Sequence, residues 1–143
     1  MNPSPRKKIY MLALKLLTRR EHAVAELRKK LVEKTEHPEL VPEIIQELIQ
    51  KKYLDDNRFA EMYSRMRSNK GYGLLRIKRE LKERGITECV NLHHADIKNI
   101  YERKFGSNPA KDIREKAKQI RYLQYRGFSF EEIKKVLNHE DDE

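Results

Sequence analysis

One apolar spacing occurs three times along the chain and limits the fold more than any other feature. Val24/Leu27/Leu31, Leu74/Ile77/Leu81 and Phe130/Ile133/Leu137 share it, with starts 50 and 56 residues apart. Side chains at i, i+3 and i+7 line one face of an α-helix. Each triad follows an earlier helical stretch and a short turn. The pattern therefore predicts an all-α chain of tandem helical units, which cannot bury their faces alone and must stack. No alternating Val/Ile/Thr-rich run predicts a strand.

Residues 1–8 are expected as a flexible tail, ahead of an apolar stripe at Ile9, Leu12, Ala13, Leu16 and Leu17. Thr18 and Glu21 fit a capping box for a second helix carrying Val24, Leu27 and Leu31. A third helix holds Ile44, Ile45, Leu48 and Ile49. Asp55 or Asp56 can N-cap the next by accepting a free backbone N–H, and Phe59, Ala60, Tyr63 and Met66 are its expected buried face. Lys70-Gly71-Tyr72-Gly73 reads as a loop, and Gly85 as a left-handed helix stop. Thr87 is expected to cap a helix burying Val90, Ile97, Ile100, Tyr101 and Phe105. Gly106–Pro109 reads as a stop and restart, with Pro109 in the first turn of a helix containing Ala117, Ile120, Leu123 and Gln124. Ser129 and Glu132 form a second capping-box candidate, before Ile133, Val136 and Leu137. Grouped this way, helical repeats span 9–54 and 55–106, a shortened third spans 107–138, and 139–143 is an acidic tail.

Composition narrows the partner. The formal net charge is +9, although Glu140-Asp141-Asp142-Glu143 gathers four acids at the end. The body is thus strongly basic, which favours a polyanion, nucleic acid first. A single cysteine, Cys89, excludes an intrachain disulfide and a multi-cysteine zinc site and points to a reducing compartment. Lys15 interrupts the first apolar run too soon for a secretory core. No run reaches the roughly 20 apolar residues that span a bilayer. A soluble, cytoplasmic protein with no membrane partner is expected.

The residues offer little for catalysis. Gly71 and Gly73 lack the Gly-Lys-Ser/Thr of a phosphate loop. His93 and His94 are adjacent, so on a helix they point about 100° apart, which suits shared metal ligation poorly. His22, His37 and His139 are scattered. Capping explains Asp55-Asp56 without a magnesium ion, and Cys89 reads as an ordinary half-buried thiol. No catalytic residue, metal or cofactor is expected, and the chain is read as a non-enzyme.

The basic residues are the candidate site. Arg58, Arg65, Arg67, Lys70, Arg76, Lys78, Arg79, Lys82 and Arg84 face only Glu61, Glu80 and Glu83 in the same interval. Arg76–Glu80, Arg79–Glu83 and Glu61–Arg65 are spaced to pair along a helix. Arg67, Lys70, Lys78, Lys82 and Arg84 have no obvious local partner. A second group runs through Arg103, Lys104, Lys111, Arg114, Lys116, Lys118, Arg121 and Arg126. Tyr122, Tyr125 and Phe128 interleave with it at a spacing that serves core packing better than base stacking. The candidates for DNA or filament contact are Arg58 to Lys82 of the first group, with Arg114, Lys118, Arg121 and Arg126 of the second. Charge without further pattern supports phosphate contact rather than base readout.

Several motifs resemble one family. Ala13-x-x-Leu16-Leu17 with Arg19-Arg20 is followed by Glu26-Leu27-x-x-x-Leu31 and Leu54-Asp55-Asp56-x-Arg58-Phe59-Ala60. Then come Gly73-x-x-Arg76-Ile77-x-x-Glu80-Leu81-x-x-x-Gly85-Ile86, Lys104-Phe105-Gly106 and Leu123-x-Tyr125-Arg126-Gly127-Phe128. The chain resembles the RecX regulatory proteins, bacterial modulators of the RecA recombinase, over nearly its whole length. The resemblance implies tandem three-helix repeats stacked into an elongated, curved molecule. It also implies binding along the RecA–DNA filament, limiting recombinase, ATPase and coprotease activity in recombination, repair and the SOS response, with direct contact to single- or double-stranded DNA. The alternative from another class is a non-specific nucleic-acid-binding architectural protein with no recombinase partner.

Overall fold

The helical periods become eight α-helices in the computed structural model, which describes residues 2–89, 91–107 and 109–138; among these there is no strand. They are α1 (Pro5–Arg19), α2 (Val24–Lys34), α3 (Val41–Gln50), α4 (Asp56–Asn69), α5 (Leu74–Glu83), α6 (Ile97–Phe105), α7 (Ile113–Arg126) and α8 (Phe130–Asn138), with a 3₁₀ turn at Pro38–Leu40. The expected acidic tail and the expected buried Val90 lie outside the described residues. The chain divides into two compact units, Met1–Ala60 with Leu81–Val90, and Glu61–Glu80 with Asn91–Glu143.

In the first unit α1, α2 and α3 pack on one another around Ile9, Ala13, Leu16, Leu27, Leu31, Val41, Ile44, Ile45 and Leu48. Full burial of each Leu or Ile contributes about 1.5–3 kcal/mol. The tail is shorter than expected. Pro5 opens α1, where its missing N–H costs nothing, and the Ser4 hydroxyl accepts from the Lys7 N–H at 3.2 Å. Thr18 caps no helix: it sits in the last turn of α1, its hydroxyl donating to the Lys15 carbonyl at 2.7 Å.

The start of α2 is held from elsewhere. Ala23 has no acceptor to offer, so Glu26 reaches back to the Ala23 N–H (3.3 Å) while Asp56, 32 residues on, accepts the Val24 N–H at 2.8 Å. Asp55 caps its own helix, accepting from the Asn57 and Arg58 N–H groups at 2.9 and 3.2 Å. Two adjacent aspartates thus satisfy two different helix ends. Arg58 completes the junction, donating to the Glu21 carboxylate (2.7 Å) and to the Lys52 and Tyr53 carbonyls (2.9 and 3.2 Å).

His22, unremarkable in the sequence, is 2% exposed. Its Nδ1 lies 3.0 Å from the Arg20 carbonyl, which can only accept, so Nδ1 carries the proton. Nε2 therefore accepts from the Lys30 ammonium at 3.1 Å. Burial above all pushes the imidazole below its ordinary pKa, and the Arg20 and Lys30 charges add to that against the opposing Arg20 carbonyl and Glu26.

In the second unit α6, α7 and α8 pack together around Ala95, Ile100, Tyr101, Leu123, Phe128, Ile133 and Val136. The sequence grouped residues 97–105 with the preceding repeat and left the last one short; the packing makes these three helices a set. Thr87 does not start a helix. The His93 N–H donates to the buried Ser64 hydroxyl (3.0 Å) and the Ala95 N–H to the Tyr72 carbonyl (3.0 Å), which holds this segment out of helix until Asp96 caps α6. Pro109 is likewise outside α7, because Asp112 caps it, accepting the Glu115 N–H at 2.8 Å. Gln119 is buried in α7, and it accepts from the Tyr101 hydroxyl at 3.1 Å.

The capping box at Ser129 forms as expected: Ser129 N–H to Glu132 carboxylate at 3.0 Å, Glu132 N–H to Ser129 hydroxyl at 3.1 Å. Phe128 and Ile133 are both buried and flank it as a hydrophobic staple. Phe130, counted in the apolar triad, is 64% exposed at the first helical position. Met66 is also exposed, because the buried face of α4 runs through Ala60, Tyr63 and Ser64 towards half-buried Arg67.

Two glycines let two turns meet within this unit. Gly73 donates to the Arg126 carbonyl at 2.7 Å and Leu75 to the Gly127 carbonyl at 3.0 Å. A Cβ on Gly73 would lie 2.6 Å from the Gly127 carbonyl oxygen, and one on Gly127, at φ +100°, would lie 2.3 Å from the Arg76 Cβ. The Gly71-Tyr72-Gly73 loop is therefore docked on the α7–α8 turn.

The caps give one prediction. Asp55→Ala and Asp56→Ala should each cost about 1 kcal/mol, the usual value of an N-cap. Amide exchange should rise at the start of α4 in the first variant and at the start of α2 in the second. Loss at α4 in both would refute the cross-chain cap. His22 gives another. Its folded pKa is depressed, so its contribution is complete above the unfolded value of 6.5 and is lost as pH falls below it. The thermal midpoint should drop as the pH falls below about 6.5, and His22→Gln should flatten that slope. An unchanged slope would mean other groups set the acid sensitivity.

Candidate polyanion interface

Within Glu61–Glu80 and the helices that follow Asn91, one carboxylate gathers several of the cations named from the sequence. Glu80 accepts from the Tyr63 hydroxyl at 2.9 Å, from Arg67 Nε and Nη2 at 2.9 and 3.0 Å, and from Arg76 Nε at 3.1 Å. Its side chain is 13% exposed and those of Arg67 and Arg76 are each 15% exposed. Burial alone would raise the Glu80 pKa, but the hydrogen bonds from Arg67, Tyr63 and Arg76 outweigh it and hold the carboxyl below the usual range. The expected Arg76–Glu80 pair is present. Arg67 is not the unpartnered cation its helix suggested, since its partner lies 13 residues away on α5.

Tyr72 is the platform of this cluster. The guanidinium carbons of Arg67, Arg76 and Arg126 lie 4.0, 4.2 and 4.7 Å from its ring centroid. Arg76 also stands 4.7 Å from the Tyr125 ring and donates to the Tyr125 carbonyl at 3.0 Å. Arg126 donates to the Lys70 carbonyl at 2.7 Å. The sequence reading passed over Tyr72; its place between two glycines was the available signal.

The remaining candidates sort by what holds them. Arg58 is committed to Glu21 and two carbonyls, and Arg65 pairs with Glu61 at 2.9 Å, as its spacing predicted. Among the described residues Arg79 and Glu83 form no ion pair, contrary to expectation. Lys78, Arg79 and Lys82 are exposed on α5, on the same face as exposed Leu75. Arg114, Lys118 and Arg121 are exposed on α7 at i, i+4 and i+7, and exposed Tyr125 continues the line by one more turn. Of the three interleaved aromatics, Phe128 is core and Tyr122 is half-buried with its ring edge-on to Phe105 at 5.4 Å. Tyr125 alone stays open, 66% exposed.

Other chemistry is thin. Among the described residues no three His, Cys, Asp or Glu side chains are placed to hold a metal ion. No described helix is long and apolar enough to cross a membrane. Two exposed cationic helix faces remain, which among the described residues form no ion pair with a carboxylate and are suited to phosphates.

Comparison with known proteins agrees with the motifs. Three family models match in tandem: RecX, first three-helix domain, at residues 10–51; second three-helix domain, at 55–90; and third three-helix domain, at 95–137. The regulatory protein RecX of Pseudomonas fluorescens (strain SBW25) is 36% identical, the match covering 90% of this chain and 89% of that protein. Regulatory protein RecX of Vibrio parahaemolyticus is 37% identical over 92% of this chain and 90% of its own. The crystal structure of RecX from Lactobacillus salivarius superposes with a TM-score of 0.74 at 21% identity, covering 97% of this chain and 98% of that one, a likeness of fold. Three tandem domain matches and relatives at this identity over nearly the full length decide the matter: the chain belongs to the RecX family.

Proposed function

We propose that this protein is a non-enzymatic regulator that binds the RecA–DNA filament and restrains its recombinase, ATPase and coprotease activities, acting in the cytoplasm on recombination, repair and the SOS response. Membership of a family of named regulatory proteins supports the regulatory role. The observation that carries polyanion contact is the stripe of Arg114, Lys118 and Arg121 on α7, ending in exposed Tyr125. Lysine and arginine contacts to phosphate displace condensed counterions, which gives affinity without base preference. Lys78, Arg79 and Lys82 on α5 extend the same chemistry. A flexible contact through many weak charges suits a helical polymer, where sites recur.

The test is RecA ATP hydrolysis on single-stranded DNA, titrated with the wild type and with Arg114→Gln/Lys118→Gln/Arg121→Gln. Glutamine keeps helix propensity and creates no like-charge pair. The wild type should inhibit, and the variant should need more protein for the same effect while its circular dichroism is unchanged. Its DNA affinity should fall less steeply with salt, the log–log slope dropping by about 0.7–0.9 for each lost phosphate contact. Binding to DNA with no effect on RecA under any nucleotide condition would favour the architectural alternative. A folded variant with wild-type affinity and salt slope would move the contact to the α5 face.

A further inference from the structure

Three guanidinium groups crowd the Tyr72 ring, and the carboxylate among them serves only two. Glu80 is taken up by Arg67 and Arg76. Among the described residues Arg126 pairs with no carboxylate. Its Nη1 donates to the Lys70 carbonyl at 2.7 Å, and its Nε is buried with no hydrogen-bond partner. The group is nevertheless fixed in place, between the Tyr72 ring at 4.7 Å and the Tyr122 ring at 5.4 Å. A partly buried, immobilised and uncompensated cation of this kind is costly unless an anion completes it.

The same guanidinium forms one wall of a cleft of about 190 Å³, lined by Lys70, Ile100, Arg103, Lys104, Tyr122 and Arg126. Four of the six lining residues are cations and none is acidic. The Lys104 ammonium lies 5.2 Å from the Tyr122 centroid. Arg103 and Lys104 end α6, where the helix dipole accounts for positive charge. It does not account for Lys70 and Arg126 converging on the same space from other segments. We propose that this cleft binds a phosphate group. A tetrahedral oxyanion carries acceptors in several directions and more than one negative charge, which matches cations on separate walls better than a planar monocarboxylate does. This deepens the polyanion reading above and rests on it only for the source of the phosphate, either a nucleic-acid backbone or a free or terminal phosphate.

The Arg126 Nε–H signal in a ¹⁵N–¹H spectrum of the full chain reports the site directly. Inorganic phosphate should move it saturably, and acetate at matched ionic strength should not. Short oligothymidylates with a 5′-hydroxyl or a 5′-phosphate separate the sources: equal shifts assign the backbone, and a shift with the 5′-phosphate alone assigns a terminal phosphate. Arg103→Gln with Lys104→Gln, both exposed and outside the core, should weaken phosphate binding about tenfold or more, as loss of charge-assisted hydrogen bonds requires. Arg126→Lys keeps the charge and should bind weakly too, because the stacked fork is lost. An Nε–H signal unmoved by every phosphate, or affinity unchanged in Arg103→Gln/Lys104→Gln, overturns the proposal. Phosphate binding that persists while RecA hydrolysis is unaffected would sink the filament reading and leave this site standing.

Discussion

The carboxylate of Glu80 is the constraint on which the second unit depends. It receives Tyr63 and Arg67 from α4 and Arg76 from its own helix, and Arg76 carries the connection on to the Tyr125 ring and carbonyl at the end of α7. Two nearly buried guanidinium groups with no carboxylate would repel each other at low local dielectric. With Glu80 in place they are neutralised in part and hydrogen-bonded, and Tyr72 can lie between them. The docking of Gly73 on Arg126-Gly127 brings the chain close enough for this to happen. Removing one partner from a buried pair typically costs about 3–5 kcal/mol.

The first unit repeats the principle with other residues. Asp55 and Asp56 each cap a different helix, Arg58 ties Glu21 to the Lys52-Tyr53 turn, and Glu26 with Arg20 closes the start of α2. The residues that make up the chain's most distinctive motifs are therefore internal fasteners. Surface charge lies elsewhere, on Lys78, Arg79 and Lys82 and on Arg114, Lys118 and Arg121, which occupy helix faces without shaping the fold. The motif residues and the exposed cationic faces are physically separable here. The cleft beside Arg126 is where they touch, since that arginine belongs to a motif and also lines the cleft.

Periodicity made the helices legible because apolar burial follows the 3.6-residue repeat directly. The stripes of α1, α2, α3 and α5 appear where the spacing put them, and Ser129 with Glu132 caps α8 as its local pattern requires. What failed needed the third dimension. Val24 finds its cap in Asp56 and Arg67 its partner in Glu80, neither within one helical turn. Thr87 has the chemistry of a cap, but backbone donors at His93 and Ala95 were claimed by Ser64 and Tyr72. Phe130 and Met66 fit an apolar pattern yet face outward, since a helix buries only the arc that its neighbours cover. Among the basic residues, counting charges identified the excess correctly and could not say which charges were already neutralised.

The division between fastening and contacting residues is the central claim, and Glu80→Gln tests it most directly. The amide keeps the shape and removes the charge. Thermal unfolding and DNA affinity should be measured on the same preparation at a temperature where the variant is folded. The account predicts a clear loss of stability, about 3–5 kcal/mol, with DNA affinity of the folded protein undiminished. An unchanged midpoint together with a marked loss of DNA binding would contradict it, and would place the Arg67–Glu80–Arg76 cluster in the interface itself.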